Sequence, residues 1–366
     1  MHSTLLLVIV VLTALAFDFT NGFHDTANVV ASSISTRALS PRTAIALASV
    51  LNFVGAFISL KVAATVATGI IEAGQITEVI AFAGLLGAIA WNLITWAYGL
   101  PSSSSHALIG GVVGAMLAAV GTGGVKFSGL LDKVVIPALV APVTAFVAAG
   151  LTIVLIYRLF ARRRPGPVTR GFRIGQIFSS SLLSLAHGTN DAQKTMGVIT
   201  LALVAHGSLN AKHVSVPVWV VITAACAISA GTYAGGWRII RTVGSRIIRM
   251  DTAQGFSAQG AGAIVILLSS HLGYPLSSTH VISGGVMGAG AAKRLSAVRW
   301  GVAGSILLAW IITLPIAGLF GATAYAVASV FGNGATGPLL MTLVAVALLG
   351  VALASRRRRM AELVSA

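Results

Sequence analysis

Uninterrupted apolar runs, such as residues 134–160 and 214–233, are long enough to cross a bilayer as helices, and they decide the class of fold before any motif does. Only 9 % of the 366 residues are charged and the mean hydropathy is +0.93, too little polar material to cover a soluble fold of this size. Strand-type alternation with a polar lumen face is missing, so helices rather than a β-barrel must satisfy the backbone in lipid. The expected fold is an all-α polytopic membrane protein of about ten to twelve helical segments, several of them broken. The segment from Met1 to Phe17 lacks a basic leader and runs straight into Asp18–Phe19–Thr20–Asn21, which reads as a first membrane helix and not a cleaved signal. The single cysteine, Cys226, lies in an apolar run and is expected to be a buried small side chain.

Lys and Arg number 24 against 8 Asp and Glu, a formal charge of +16. On a soluble chain that would suggest nucleic acid, but no aromatic residues are interleaved to stack bases, and no nucleic-acid partner is expected. The bases sit between apolar spans: Arg158, Arg162, Arg163, Arg164, Arg170 and Arg173; Arg238, Arg241, Arg246 and Arg249; Lys293, Arg294 and Arg299; Arg356 to Arg359. They read as cytoplasmic loops facing the anionic lipid of the inner leaflet. The stretch Trp237–Arg249 is amphipathic and is expected to lie on that leaflet.

The chain repeats itself. Gly99–Leu100–Pro101–Ser102–Ser103–Ser104–Ser105–His106 recurs as Gly273–Tyr274–Pro275–Leu276–Ser277–Ser278–Thr279–His280 at an offset of 174 residues. Gly22–Phe23–His24–Asp25 recurs as Gly188–Thr189–Asn190–Asp191 at an offset of 166. Loop charge is opposite at matching positions. Glu72 and Glu78 face the four arginines of residues 237–250, and Arg37 and Arg42 face only His206, Lys212 and His213. Opposite charge means opposite orientation, so two inverted-topology repeats are expected, with broken helices or re-entrant hairpins. The expected organisation is repeat 1 over 1–160, a basic cytoplasmic linker over 161–170, repeat 2 over 171–330, and an extra membrane helix with a cytoplasmic arginine tail over 331–366. The N-terminus is placed outside and the C-terminus in the cytoplasm.

Both Pro-Ser segments break apolar sequence, because proline disfavours helix before it and hydroxyls compete for backbone hydrogen bonds. One of Ser103, Ser104 or Ser105 is expected to cap a helix starting near His106, and one of Ser277, Ser278 or Thr279 a helix starting near His280. A helix N-terminus with clustered hydroxyls suits an anion, and two of them would converge at mid-membrane. Asp25 and Asp191 are intramembrane carboxylates in segments dense in hydrogen-bonding side chains, which makes them functional candidates. Beside an anion they require a cation or proton between. Asp18 reads either as functional or as a polar helix end near the surface. Lys194 reads either as a partner of Asp191 or as a point charge for an oxyanion.

Gly22–Phe23–His24–Asp25–Thr26–Ala27–Asn28, Ala186–His187–Gly188–Thr189–Asn190–Asp191 and the two Pro-x-Ser-Ser-(Ser/Thr)-His segments resemble the PiT family of inorganic phosphate transporters, over residues 15–330. The resemblance is closest to the bacterial low-affinity members. It implies a non-enzymatic, multi-pass protein of the plasma (inner) membrane that imports inorganic phosphate by cation symport, with alternating access of two inverted halves. It also implies a phosphate site of Asp25, Asn28, Asn190 and Asp191 with Ser103, Ser104, Ser105, Ser277, Ser278 and Thr279. His24 replaces the family's usual Asn before the first aspartate, and Asn52 and Gln259 stand where sodium-coupled eukaryotic relatives carry glutamates in the second helix of each half. With His24 and His187 beside the aspartates, protons are favoured over sodium as the coupling ion. Asp25, Asp191, His24, His187, Asn52 and Gln259 form the candidate coupling set. No cofactor or fixed metal is expected beyond the coupling cation (H+ or Na+), with Mg2+ or another divalent metal carried with phosphate as a variant. A homo-oligomer is compatible with the sequence. The alternatives are a transporter of another oxyanion such as sulfate, or an intramembrane phosphohydrolase, for which no nucleophile or metal-ligand spacing stands out.

Overall fold

The computed structural model describes residues 4–210 and 215–365, with side chains as far as Val351. Lys212, His213 and the side chains of Arg356–Arg359, which carry part of the loop-charge argument, lie outside the described residues. The first half comprises α1 (Thr4–Ser35), α2 (Pro41–Gly55), α3 (Lys61–Thr68), α4 (Glu78–Tyr98), α5 (Ser104–Val120), α6 (Phe127–Leu130) and α7 (Ile136–Phe160). The second comprises α8 (Pro165–His206), α9 (Val218–Ala234), α10 (Trp237–Arg241), α11 (Thr252–Leu272), α12 (Ser278–Ala291) and α13 (Trp300–Ser329), followed by α14 (Thr336–Ser365). Among the described residues six helices are long and apolar enough to cross a membrane, and a seventh span forms if Val218–Ala234 and Trp237–Arg246, bent by 59°, count as one. The molecule is an all-helical, multi-pass membrane protein.

Neighbour contacts give the inversion. Thr36, just beyond α1, bonds Gln176 on α8, and Ser180, one turn later, reaches back to Val29 and Ser33, so the first helices of the two halves run antiparallel. By contrast α1 runs parallel to α9: Gly22 packs on Ile228 and Thr232, and Gly244 beyond α9 packs on Ala31. A helix that opposes its own counterpart and follows the next one is what an inverted repeat requires. Near the pseudo-two-fold axis Ser49 Oγ donates to the Ser229 carbonyl at 2.8 Å, and Ser229 Oγ donates to the Ser49 carbonyl at 2.8 Å.

The halves interlock. The short helix α5 of the first half rides on α13 of the second, Gly110 against Leu314 and Gly114 against Gly318. Its counterpart α12 rides on α7 of the first half, Gly284 against Pro142 and Gly288 against Phe146. At these glycines a Cβ would run into a facing backbone carbonyl, so the helix backbones meet only because no side chain intervenes.

Three expectations are corrected. Cys226 is exposed, on the outward face of α9 with Ile222 and Trp219, because the small residues that pack inward on that helix are Ala224 and Ala225. The apolar side of 237–249 is covered by protein: Ile239, Ile240 and Val243 bury against Ala27, Val30 and Ala31 of α1, leaving the arginines exposed. Gln259 lies on α11, after α8 and α9, and so is not in the second helix of its half as Asn52 is.

The loop charges sort to the two ends of the bundle. Glu72 pairs with Lys126 at 3.4 Å and Glu78 with His206 at 3.0 Å. Arg37, Arg163 and Arg173 line one cavity of about 580 Å³ at the opposite end of α1 and α8.

Candidate oxyanion and cation site

The two Pro-Ser segments fold alike. Each long helix before them stops at a glycine in the left-handed region, Gly99 at φ 66° and Gly273 at φ 81°. A tight turn follows, with Ser102 N–H on the Leu100 carbonyl and Leu276 N–H on the Tyr274 carbonyl, both 2.9 Å. Of the candidate caps, the structure selects Ser103, which accepts from His106 N–H at 3.1 Å, and Ser277, which accepts from His280 N–H at 3.3 Å. The N–H groups of Ser104, Ser105, Ser278 and Thr279 then have no acceptor within their own helices and point their dipole charge inward. The helix tips touch, with the rings of His106 and His280 4.7 Å apart.

Each tip reaches the carboxylate of the opposite half, and the second tip also reaches the carboxylate of its own. Thr279 Oγ1 donates to Asp25 Oδ1 at 3.3 Å and accepts from Asn28 Nδ2 at 2.8 Å. Ser105 Oγ lies 3.4 Å from Asp191 Oδ1, and Ser278 Oγ donates to Asp191 Oδ2 at 3.0 Å. Lys194 resolves its two readings in favour of Asp191. Its ammonium pairs with Asp191 Oδ1 and donates to Ser105 Oγ at 2.5 Å and to the Leu276 carbonyl at 2.7 Å, which uses all three of its N–H bonds. Asp25 and Asp191 are 1 % and 0 % exposed, so both are sealed from water.

The histidines are held with a defined polarity. Thr95 Oγ1 donates to the Trp91 carbonyl at 2.9 Å, so toward His24 Nε2, 3.1 Å away, it can only accept. His24 Nε2 therefore carries the hydrogen, and Nδ1 faces Asp25 Oδ1 at 2.9 Å. In the other half Thr232 Oγ1 donates to the Ile228 carbonyl and accepts from Asn52 Nδ2 at 2.8 Å. That turns Asn52 Oδ1 toward His187 Nδ1 at 3.2 Å, so Nδ1 donates and Nε2 faces Asp191 Oδ2 at 2.9 Å. In both halves the second ring nitrogen faces a carboxylate at 2.9 Å, a contact that is favourable only with a proton or cation between them. One ligand atom from each of Asp25, His187 and Asp191 lies within 4.8 Å of the others.

Not every expected residue bonds within this cluster. Ser103 and Ser277 spend their acceptor oxygens on caps, whereas Ser104 Oγ approaches His24 Nδ1 at 3.3 Å. Asn190 turns its amide to Ser270 Oγ at 2.8 Å and the Tyr274 carbonyl at 3.2 Å, tying α8 to the second turn. Gln259 donates to the Val29 carbonyl at 2.9 Å, one residue from Asn28. Thr95, Ser102 and Thr232 were not foreseen. Ser102, which donates to Thr95 at 2.8 Å, stood in the flagged turn, while Thr95 and Thr232 are lone polar residues in apolar helices and no spacing marks them.

Two inverted halves with broken helices and a buried polar centre define a membrane transport protein of the inverted-repeat class. The chain belongs to the phosphate transporter family, whose model matches residues 21–321. It is 54 % identical over 328 residues to a "probable low-affinity inorganic phosphate transporter" of Mycobacterium bovis, covering 90 % of this chain and 79 % of that one. A protein of the same name from Bacillus subtilis is 44 % identical, covering 88 % of this chain and 96 % of that one. A solved structure described as the sodium-dependent phosphate transporter superposes with a TM-score of 0.82 at 25 % identity, over 89 % of this chain and 99 % of that one. These relatives are named as transporters, and the chain is not an enzyme; the phosphohydrolase alternative falls.

Proposed function

We propose that the chain imports inorganic phosphate by cation symport, with the two halves exposing one central site alternately to either side. The reading is carried by the crossing of the halves, in which the helix tip of each lies on the other half's carboxylate: Thr279 on Asp25, Ser105 on Asp191. Donor groups from both tips suit a tetrahedral oxyanion, and the aspartates beside it admit the anion only when a positive partner arrives too. Binding of either then favours the other, which is the thermodynamic content of symport.

The proton is the coupling ion we favour. The fixed polarity of the Thr95–His24 and Asn52–His187 contacts leaves a slot for one proton between each ring and its aspartate. Labelled phosphate uptake into proteoliposomes tests the reading directly. A protonophore and Asp25→Asn should each collapse uptake; uptake indifferent to every ion gradient would overturn it. Competition with sulfate separates the oxyanions, since phosphate at neutral pH retains an O–H to give a carboxylate and sulfate does not.

One observation favours a variant. Asp25, His187 and Asp191 converge closely enough to hold a divalent ion, so that a neutral metal–phosphate complex becomes the species carried. Uptake that requires magnesium, and that loses this requirement in His187→Gln, would select it. Orientation with the arginine-lined end in the cytoplasm, against anionic lipid, follows from the positive-inside rule.

A further inference from the structure

Along α1 and α8 most buried hydroxyls bond within the helix. Thr13, Thr26, Thr189 and Thr200 each donate to the carbonyl four residues back, at 2.5 to 2.8 Å. Thr195 does not. Its Oγ1 is buried without a hydrogen-bond partner among the described residues, and the same holds for Asn21 Oδ1 and for both carboxylate oxygens of Asp18. Asp18 is fully buried at 0 % exposure, so it is no surface helix end. The side chains of Asn21 and Thr195 lie within hydrogen-bonding range of its carboxylate, in a geometry that leaves all four of these oxygens short of a regular hydrogen bond. Lys194 cannot supply the missing partner, since its three N–H bonds are taken by Asp191, Ser105 and Leu276. An unpaired, buried carboxylate is among the costliest groups a fold can hold.

We propose that Asp18, Asn21 and Thr195 form a binding site for a sodium-sized monovalent cation, separate from the phosphate cradle. Four oxygens and no nitrogen or sulfur make a hard-cation donor set. One carboxylate balances one positive charge; a divalent ion would leave excess charge close to the Lys194 ammonium in a low-dielectric interior. A proton would sit on a single oxygen and give one hydrogen bond, leaving the remaining acceptors unsatisfied, whereas a cation engages all of them. The site also stands outside the duplication. At the repeat offset of 166 the counterparts of Asp18, Asn21 and Thr195 are Ser184, His187 and Val29, and a valine ligates nothing. The second half therefore has no copy of this site. That occupancy couples to uptake rests on the symport reading above; that the site binds sodium does not.

The test is thermal melting of the purified full-length protein in detergent, titrated with sodium chloride against potassium and choline chlorides at constant ionic strength. A parallel titration uses inorganic phosphate. Sodium should raise the melting temperature saturably and beyond the other two salts. Asp18→Asn and Thr195→Val should each weaken the apparent sodium affinity at least tenfold while the phosphate-induced rise persists. The proposal is overturned if sodium stabilises no more than choline or potassium, or if both variants titrate like the parent. It is overturned equally if an Asp18-dependent rise appears on lowering the pH in choline in place of the sodium response, which would make the occupant a proton. Should the sodium response hold while proteoliposomes take up no phosphate, the symport reading fails and the site stands.

Discussion

Lys194 occupies in the second half the position that Asn28 occupies in the first. Each lies three residues beyond its aspartate, and each donates to the matching hydroxyl of the opposite half's serine turn: Asn28 to Thr279 at 2.8 Å, Lys194 to Ser105 at 2.5 Å. The two corners share one geometry, but the second carries a fixed positive charge. Asp191 Oδ1 thereby has a fixed positive partner, whereas Asp25 has none among the described residues.

Removing that charge alone should be severe. Lys194→Met leaves Asp191 buried without its ammonium partner, and breaking a buried pair costs about 3–5 kcal/mol. The double variant Asp191→Asn with Lys194→Asn removes both charges and should recover most of the melting temperature while remaining inactive in phosphate uptake. Equal stability of Lys194→Met and the parent would show that the pair is not what holds this corner.

The Asn52 contact fixes which nitrogen of His187 faces Asp191. In Asn52→Leu the ring is free to present an N–H to the carboxylate with no extra proton. Uptake driven by an inward proton gradient should fall at least tenfold, equivalent to about 1.4 kcal/mol, and its rise on acidifying the outer solution should flatten. Measuring initial rates against outer pH at fixed inner pH decides it.

Ser103 allows folding and anion binding to be separated. Aspartate caps a helix as well as serine does, whereas alanine costs about 1 kcal/mol. Ser103 is buried, so the charge of Ser103→Asp is expected to lower the melting temperature as well as to repel phosphate and abolish uptake. Ser103→Ala should lower stability alone, with uptake retained.

The glycine seams are expected to be the least tolerant part of the fold. A Cβ at Gly114 would meet the Gly318 carbonyl oxygen, and one at Gly288 the Phe146 carbonyl oxygen. Gly114→Ala and Gly288→Ala should each destabilise by about 1–3 kcal/mol. Gly123, with nothing near its absent Cβ, should accept alanine within about 0.5 kcal/mol. Yield of monodisperse protein on size exclusion, followed by melting, measures both.

Composition and periodicity determined that this chain is a bundle of membrane helices, because a peptide group in lipid must be satisfied within its own segment. Duplication of the serine turns and of the aspartate motifs determined that there are two halves and marked Asp25, Asp191, Ser105 and Thr279. Those are signals written along the chain. What lay beyond it was which groups face each other. Spacing in sequence did not show that α5 rides on α13 and α12 on α7, which is why Ser105 answers to Asp191 and Thr279 to Asp25. Nor did it show that Thr95 and Thr232, isolated hydroxyls in apolar helices, fix the polarity of His24 and His187. It left Asp18 ambiguous and Cys226 on the wrong face, since burial is a property of the packed neighbours and not of the residue. Hydropathy records which surface leaves water; only the meeting of distant helices decides which oxygens, nitrogens and charges are left to bind something else.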